Sequence, residues 1–231
     1  MIVTVQSISP VSTDTAPPMT RQQIKRIHAE RREEICRRLD EFAVIGRSGT
    51  DHDLWAEMVF CFFTGGCSAA MGIRALEAVR HLLMSGTQEQ LAAALSGVHR
   101  YPNARSRYIV ASREFLTADC NMKLRKRLNS FASDIERRDW LVNEKGIKGL
   151  GYKEASHYLR NIGFRGYAIL DKHILNSLSE LKIIEAPKPP NNRSKYLSIE
   201  NRLRDFAISL KIDLDELDLV LWSMRTGKIL K

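Results

Sequence analysis

Cysteine is scarce in this chain and widely scattered: Cys36, Cys61, Cys67 and Cys120 are the four among 231 residues. None forms a Cys-x-x-Cys pair, so neither a structural zinc site nor a disulfide framework is indicated, and a reducing, cytoplasmic setting is the default expectation. The six histidines are also spread singly, without metal-ligand spacing, and no metal is expected. No apolar run approaches the length of a membrane span, and the first residues lack a basic start followed by an apolar core. Neither a membrane segment nor a secretion signal is therefore expected. Segments of alternating polarity and internal repeats are missing too, which leaves an all-α chain as the reading. Acidic residues are the minority charge, 27 against 36 Lys and Arg, for a net charge of +9 and a pI near 9.5. That imbalance favours a polyanionic partner, although charge alone does not separate DNA from RNA or a membrane surface.

What is present is enough apolar content, 44%, to bury a sizeable core in one domain or two tightly joined lobes. Residues 1–20 mix Ser, Thr and Pro without a period and read as a mobile tail, so the working domain is expected over 21–231. From Thr20 to Phe42, Ile24, Ile27, Ile35 and Leu39 make a partial apolar stripe on a charged helix. Its Arg31, Arg32, Arg37 and Arg38 suit either phosphate contact or a solvated face. Asp53 to Phe63 becomes almost wholly apolar, as in a helix buried all round. Gly65-Gly66-Cys67 breaks it, either as a tight turn or as a place where DNA approaches the backbone closely. A second helix is expected from Ser68 to about Met84, and Thr87 with Gln90 forms a capping box for another.

The stretch from Arg100 to Arg113 carries four arginines and no acid, with tyrosines between them, which suits phosphate contact plus stacking; Arg105 and Arg107 are the candidates. Residues 122–138 read as a further charged helix and Trp140 to Lys145 as a short one. Then comes the most informative segment, GIKGLGYKEASHYLRNIGFRGYAILDKH over residues 146–173. Gly149 and Gly151 stand one residue apart between apolar residues, a spacing suited to a tight turn with a left-handed φ. A helix follows, with Ala155, Tyr158, Leu159 and Ile162 on its buried face and Lys153, His157 and Arg160 away from it. The N-terminus of that helix offers unpaired amides to an anion, and for a chain this basic a nucleic-acid phosphate is the abundant one. Asp171 opens the next helix, and helices from Ile199 and Asp213 close the chain.

Residues 147–155 resemble the hairpin of the helix-hairpin-helix DNA glycosylase superfamily, apolar-x-Gly-apolar-Gly-x-Lys-x-Ala, with Lys148 where a proline is common. In the bifunctional branch a nucleophilic lysine follows the hairpin and an aspartate stands eighteen residues on, as Lys153 and Asp171 do. GLGYKEASHYLRNIG with AILDKHIL is most similar to the archaeal-type 8-oxoguanine DNA glycosylase/lyases, whose chains also end in a tryptophan helix and a terminal lysine, matched by Trp222 and Lys231. The resemblance runs over roughly residues 50–231 and lacks the closely spaced cysteines that hold an iron–sulfur cluster in some relatives. It implies an all-α, two-lobed fold with double-stranded DNA in the cleft, no cofactor, and a monomer that acts on 8-oxoguanine or abasic sites.

By that resemblance Lys153 attacks C1′ of an extruded nucleotide, Asp171 stabilises positive charge on the sugar and could shuttle the lysine's proton, and His173 donates to a phosphate. Trp222 and Lys231 hold the oxidised base. The requirement on Lys153 is physical: a free lysine with a pKa of about 10.4 is almost wholly charged, and a helix N-terminus inside a basic protein disfavours that charge. Taken singly, Lys153 suits a phosphate contact, Asp171 a helix cap and Trp222 core packing. A non-catalytic hairpin DNA-binding module, or a glycosylase of other base preference, is the alternative.

Overall fold

The structure, a computed structural model, describes residues 19–229; residues 1–18 and 230–231 lie outside them. The described residues are helical throughout, without strands: α1 Arg21–Ser48, α2 Asp51–Thr64, α3 Ala69–Val79 with a 3-10 turn Arg80–Leu82, α4 Gln88–Leu95, α5 Pro102–Cys120, α6 Leu124–Asn129, α7 Asp134–Asn143, α8 Tyr152–Asn161, α9 Lys172–Glu180, α10 Arg193–Leu210 and α11 Leu214–Thr226. None is long and apolar enough to cross a membrane.

Side-chain caps decide where most of these helices begin. Thr20, Thr50 and Thr87 each close a reciprocal box with the residue three positions on, which satisfies two otherwise orphaned amides. In α2, which the sequence starts at Asp53, Thr50 is the cap and Asp53 the third residue of the box. Thr20 belongs to α1 and the Met19 amide donates to Glu180, so the last two residues of the expected tail are tied down. The rest of that tail lies outside the described residues.

Four boundaries differ from the expectation. Helix α1 continues six residues beyond Phe42, because Ala43–Ser48 pack towards α2 and the end of α8 rather than turning away. The 122–138 helix is two, broken where Ser133 caps α7, and α7 absorbs the start of the expected helix at Trp140. Asn192 starts α10 before Ile199. Asp213 caps α11 as its position suggests, and the carboxylate of Glu216 in its first turn meets His28 of α1 at 2.6 Å.

The helices build two cores. Helices α2 to α7, the hairpin and much of α8 bury one cluster around Trp55, Phe60, Phe62, Phe63 and Tyr158. Helices α1, α9, α10 and α11 bury the other around Phe42, Ile174, Leu203, Leu217 and Val220. Helix α8 runs between them, and every residue from Ala155 to Asn161 is buried. His157 and Arg160, expected on an open face with Lys153, are therefore inside: the His157 ring packs edge-on against Phe60 of α2 in the first lobe, and Arg160 lies over Phe42 of α1 and pairs with Asp218 of α11 in the second. Polar residues on α8 and α7 bridge the two lobes. Arg160 Nη1 lies 2.8 Å from Asp218 of α11. Arg138 grips Glu200 of α10 with two bonds of 2.6 and 2.9 Å, donates to Ser156 and is surrounded by the rings of Tyr152, Tyr167 and Tyr196. Charges taken out of water persist only when paired in this way.

Candidate active site

The hairpin begins where α7 ends. The Gly146 amide meets the Glu144 carboxylate and the Ile147 amide the Glu144 carbonyl, which turns the chain through Ile147–Gly151. Gly149 has φ +79°, and a side chain there would also put its Cβ 2.5 Å from the Tyr108 ring, so glycine is required twice over. Lys148 has the amide that a proline would lack, and buried Ser112 of α5 accepts from it at 2.9 Å. The amides of Gly149, Leu150, Gly151 and the first turn of α8 have no acceptor among the described residues. Unpaired amides at a helix N-terminus are groups that can hold an anion.

Lys153, the second residue of α8, is partly covered and its Nζ lies 3.0 Å from Glu154 Oε1. Beyond the helix dipole and the basic surround expected for this lysine, a carboxylate therefore sits directly on the ammonium. Asp171 is the N-cap of α9. Its Oδ1 accepts from the amides of His173 and Ile174 at 2.8 and 2.9 Å, while Oδ2 makes no hydrogen bond among the described residues. The cap and an electrostatic role are therefore compatible, one oxygen serving each. Tyr196 of α10 links the two segments: its ring stands 5.4 Å from that of Tyr152, and its hydroxyl donates to the Ala168 carbonyl and accepts from the Ser156 hydroxyl and the Leu170 amide.

Behind Asp171 lies Asp218, fully buried on α11. Burial pushes its carboxyl up to about 7; Arg160 opposes the rise, and the charges of Asp171 and Asp215 add to it. The same helix carries Trp222, half-buried, whose ring meets His173 edge-on with centroids 6.3 Å apart. Two expected site residues are thus brought together across α9 and α11. Gly227, φ +76°, turns the chain after α11 so that Ile229 is buried in the second core. Lys231 lies outside the described residues.

The two arginine candidates part company. Arg105 Nη2 donates to the Gly65 carbonyl, and its guanidinium is stacked over Tyr101 and Tyr108, so it braces the turn between α2 and α3. That turn is the Gly65–Cys67 break, filled by protein on this side. Arg107 is exposed and has no ion pair or hydrogen bond among the described residues. Arg107→Gln is expected to flatten the salt dependence of duplex affinity, lowering the log–log slope by about 0.9, the amount one neutralised phosphate contributes. A slope equal to wild type, measured by titration at several salt concentrations, would assign Arg107 to the solvated face.

Sequence reasoning missed Glu154, Tyr196 and Asp218. Glu154 stands beside Lys153 in plain view, but nothing in the linear order says that a neighbour on a helix will turn back onto it. Tyr196 and Asp218 act across 40 and 58 residues of separation, to Ser156 and Arg160, and carry no local signal.

The two cores, the glycine hairpin and the capped helix that follows define a protein of the helix-hairpin-helix DNA glycosylase fold. A profile of the 8-oxoguanine DNA glycosylase family matches residues 35–212. The chain is 43% identical over 201 residues to an 8-oxoguanine DNA glycosylase/AP lyase of Korarchaeum cryptofilum, covering 87% of this chain and 91% of that one, and 37% identical to one of Fusobacterium nucleatum over 90% and 96%. The crystal structure of the Methanocaldococcus jannaschii 8-oxoguanine glycosylase/lyase in complex with a 15mer DNA containing 8-oxoguanine superposes with a TM-score of 0.82 at 35% identity, over 91% of this chain and 100% of that one. The chain belongs to the 8-oxoguanine DNA glycosylase family.

Proposed function

We propose that this protein excises 8-oxoguanine from duplex DNA and then cleaves the abasic strand, working as a monomer on cytoplasmic DNA through the single unit 21–231. The observation that carries the reading is Lys153 in the first turn of α8, behind the open hairpin amides, with Asp171 holding one carboxylate oxygen uncommitted. Membership of the family supports it.

The chemistry needs the nucleotide out of the stack, since C1′ is inaccessible within a duplex. Hairpin amides, Gly149 and Gly151 among them, hold phosphate beside the lesion, and His173 supplies a further donor. The neutral amine of Lys153 attacks C1′ as the N-glycosidic bond breaks, and Asp171 stabilises the positive charge that develops on the sugar. Opening of the sugar gives an imine on Nζ. Loss of a C2′ proton then expels the 3′-phosphate and nicks the strand. No metal or cofactor enters these steps.

Trp222 provides the flat face for the extruded base and the chain end the polar reader: a carboxylate on Lys231 accepts from the N7–H that 8-oxoguanine has and guanine lacks. A C-terminal extension, or removal of Lys231, is therefore expected to reduce 8-oxoguanine excision at least about tenfold while sparing the nicking of preformed abasic sites, which needs no base reading. An N-terminal tag should change neither. Equal losses in both activities, or none, would remove Lys231 from base recognition.

The experiment that tests the whole reading is borohydride trapping on duplexes carrying 8-oxoguanine, other lesions or an abasic site. A covalent adduct with the 8-oxoguanine duplex is the expected result. Adducts with another lesion instead would point to a different base preference, and binding without any adduct to a non-catalytic hairpin module.

A further inference from the structure

Glu154 has a seat that the hairpin motif does not account for. It is the third residue of α8, less exposed than Lys153 (17% against 24% of the side chain), and its Oε1 is 3.0 Å from the lysine Nζ. Its carboxylate lies between two glycines from different elements. A side chain at Gly151 would place its Cβ 3.2 Å from Oε2, and one at Gly65 would place it 3.6 Å from Oε1. The backbone of Gly151, φ −88° and ψ −177°, is open to any residue, so the contact there that a side chain would tighten is with this carboxylate. The other charge facing it is Arg105 of α5, whose Nη2 stands 3.1 Å from the same Gly65 position and is already bonded to the Gly65 carbonyl. Asp139, another carboxylate beside the first turn of α8, is taken up by the Tyr152 hydroxyl and Arg193.

We propose that Glu154 is the proton acceptor for the nucleophilic amine, seated between Gly65 and Gly151 so that its Oε1 takes a proton from Lys153 Nζ when DNA covers the site. The inference rests on Lys153 being the nucleophile. In the step itself one N–H bond breaks and one O–H bond forms, and the pair carries no net charge before or after. In water the lysine, with a pKa of about 10.4, keeps its proton against a glutamate of about 4.3. Bound DNA removes solvent from both groups, which penalises both charged forms at once and brings the neutral pair within reach. The freed lone pair then attacks C1′, and Asp171 is left to its electrostatic task.

The test is the single-turnover rate of borohydride trapping on a preformed abasic duplex, followed from about pH 6 to about pH 9.5, for wild type, Glu154→Gln, Glu154→Asp and Lys153→Gln. Glu154→Gln is expected to lose about 100-fold near neutral pH and to recover towards wild type at the alkaline end, where hydroxide removes the proton instead. Glu154→Asp should keep most of the neutral-pH rate. A loss of equal size at every pH would make Glu154 a merely structural residue and overturn the proposal. So would an unchanged profile, or a Glu154→Gln variant faster than wild type near neutrality, which would mark the carboxylate as a counter-ion opposing deprotonation. Should the glutamine variant fail to fold, the aspartate variant decides alone: a rate deficit that shrinks as pH rises supports the acceptor role and a constant one refutes it. Trapping retained by Lys153→Gln would instead bring down the nucleophile assignment, a separate failure.

Discussion

Lys153→Gln is expected to abolish base release and imine trapping together, by on the order of 10³-fold or more, while duplex affinity stays within a few-fold of wild type. The two activities should fall as one because, in the proposed mechanism, both pass through the same bond between Nζ and C1′. Affinity should persist because Lys153 is one cation on a chain of net charge +9, and removing a single cation changes the salt slope by only about 0.9. The substitution also removes the partner of Glu154, but that carboxylate remains 17% exposed and water can solvate it, so the fold should tolerate the change. Excision rate, trapped adduct and titrated affinity are the three measurements. Retained trapping with normal affinity would move the nucleophile elsewhere in the chain.

Glu200→Ala carries the largest expected cost in stability. Glu200 accepts two bonds from Arg138 and one from the Ala168 amide, and all three lie within the protein. Its removal leaves a guanidinium only 2% exposed among three tyrosine rings without a counter-charge, a situation that costs about 3–5 kcal/mol. For a chain of this size that corresponds to a fall in melting temperature of roughly 10 °C. The loss should be felt at the site as well, since Ala168 is three residues from Asp171 and Ser156, the other partner of Arg138, sits one turn along α8 from Lys153. Replacing Arg138 and Glu200 together by apolar residues of similar volume is expected to restore much of the stability, because no buried charge is then left unpaired. A Glu200→Ala protein melting within about 2 °C of wild type would show that solvent reaches Arg138 freely.

The sequence alone determined the features that depend on neighbours within a few residues. Three threonine boxes, the Asp171 cap, the Gly149 turn and the glycine end of α8 are local hydrogen bonds and local φ angles, and each is written in a stretch of four or five residues. The all-helical class, the basic character and the family signature followed from the same local information. Some boundaries slipped for local reasons, as where Ser133 caps α7 and Asn192 caps α10, but the misplaced side chains slipped because of distant contacts. His157 and Arg160 lie off the apolar stripe of α8 by period, yet they are buried, because α2 of the first lobe sets Phe60 against the His157 ring and the second lobe supplies Asp218 for Arg160. Arg105 reads like Arg107 in the sequence; only the packing of the α2–α3 turn against α5 commits one to the Gly65 carbonyl and leaves the other exposed. The two glycines from separate elements that flank the Glu154 carboxylate likewise come together only once the hairpin folds against that turn. Local order specifies helices and caps because their energies are settled within a turn, whereas the placement of a buried charge is settled by whichever remote group neutralises it, and that pairing exists only in the folded chain.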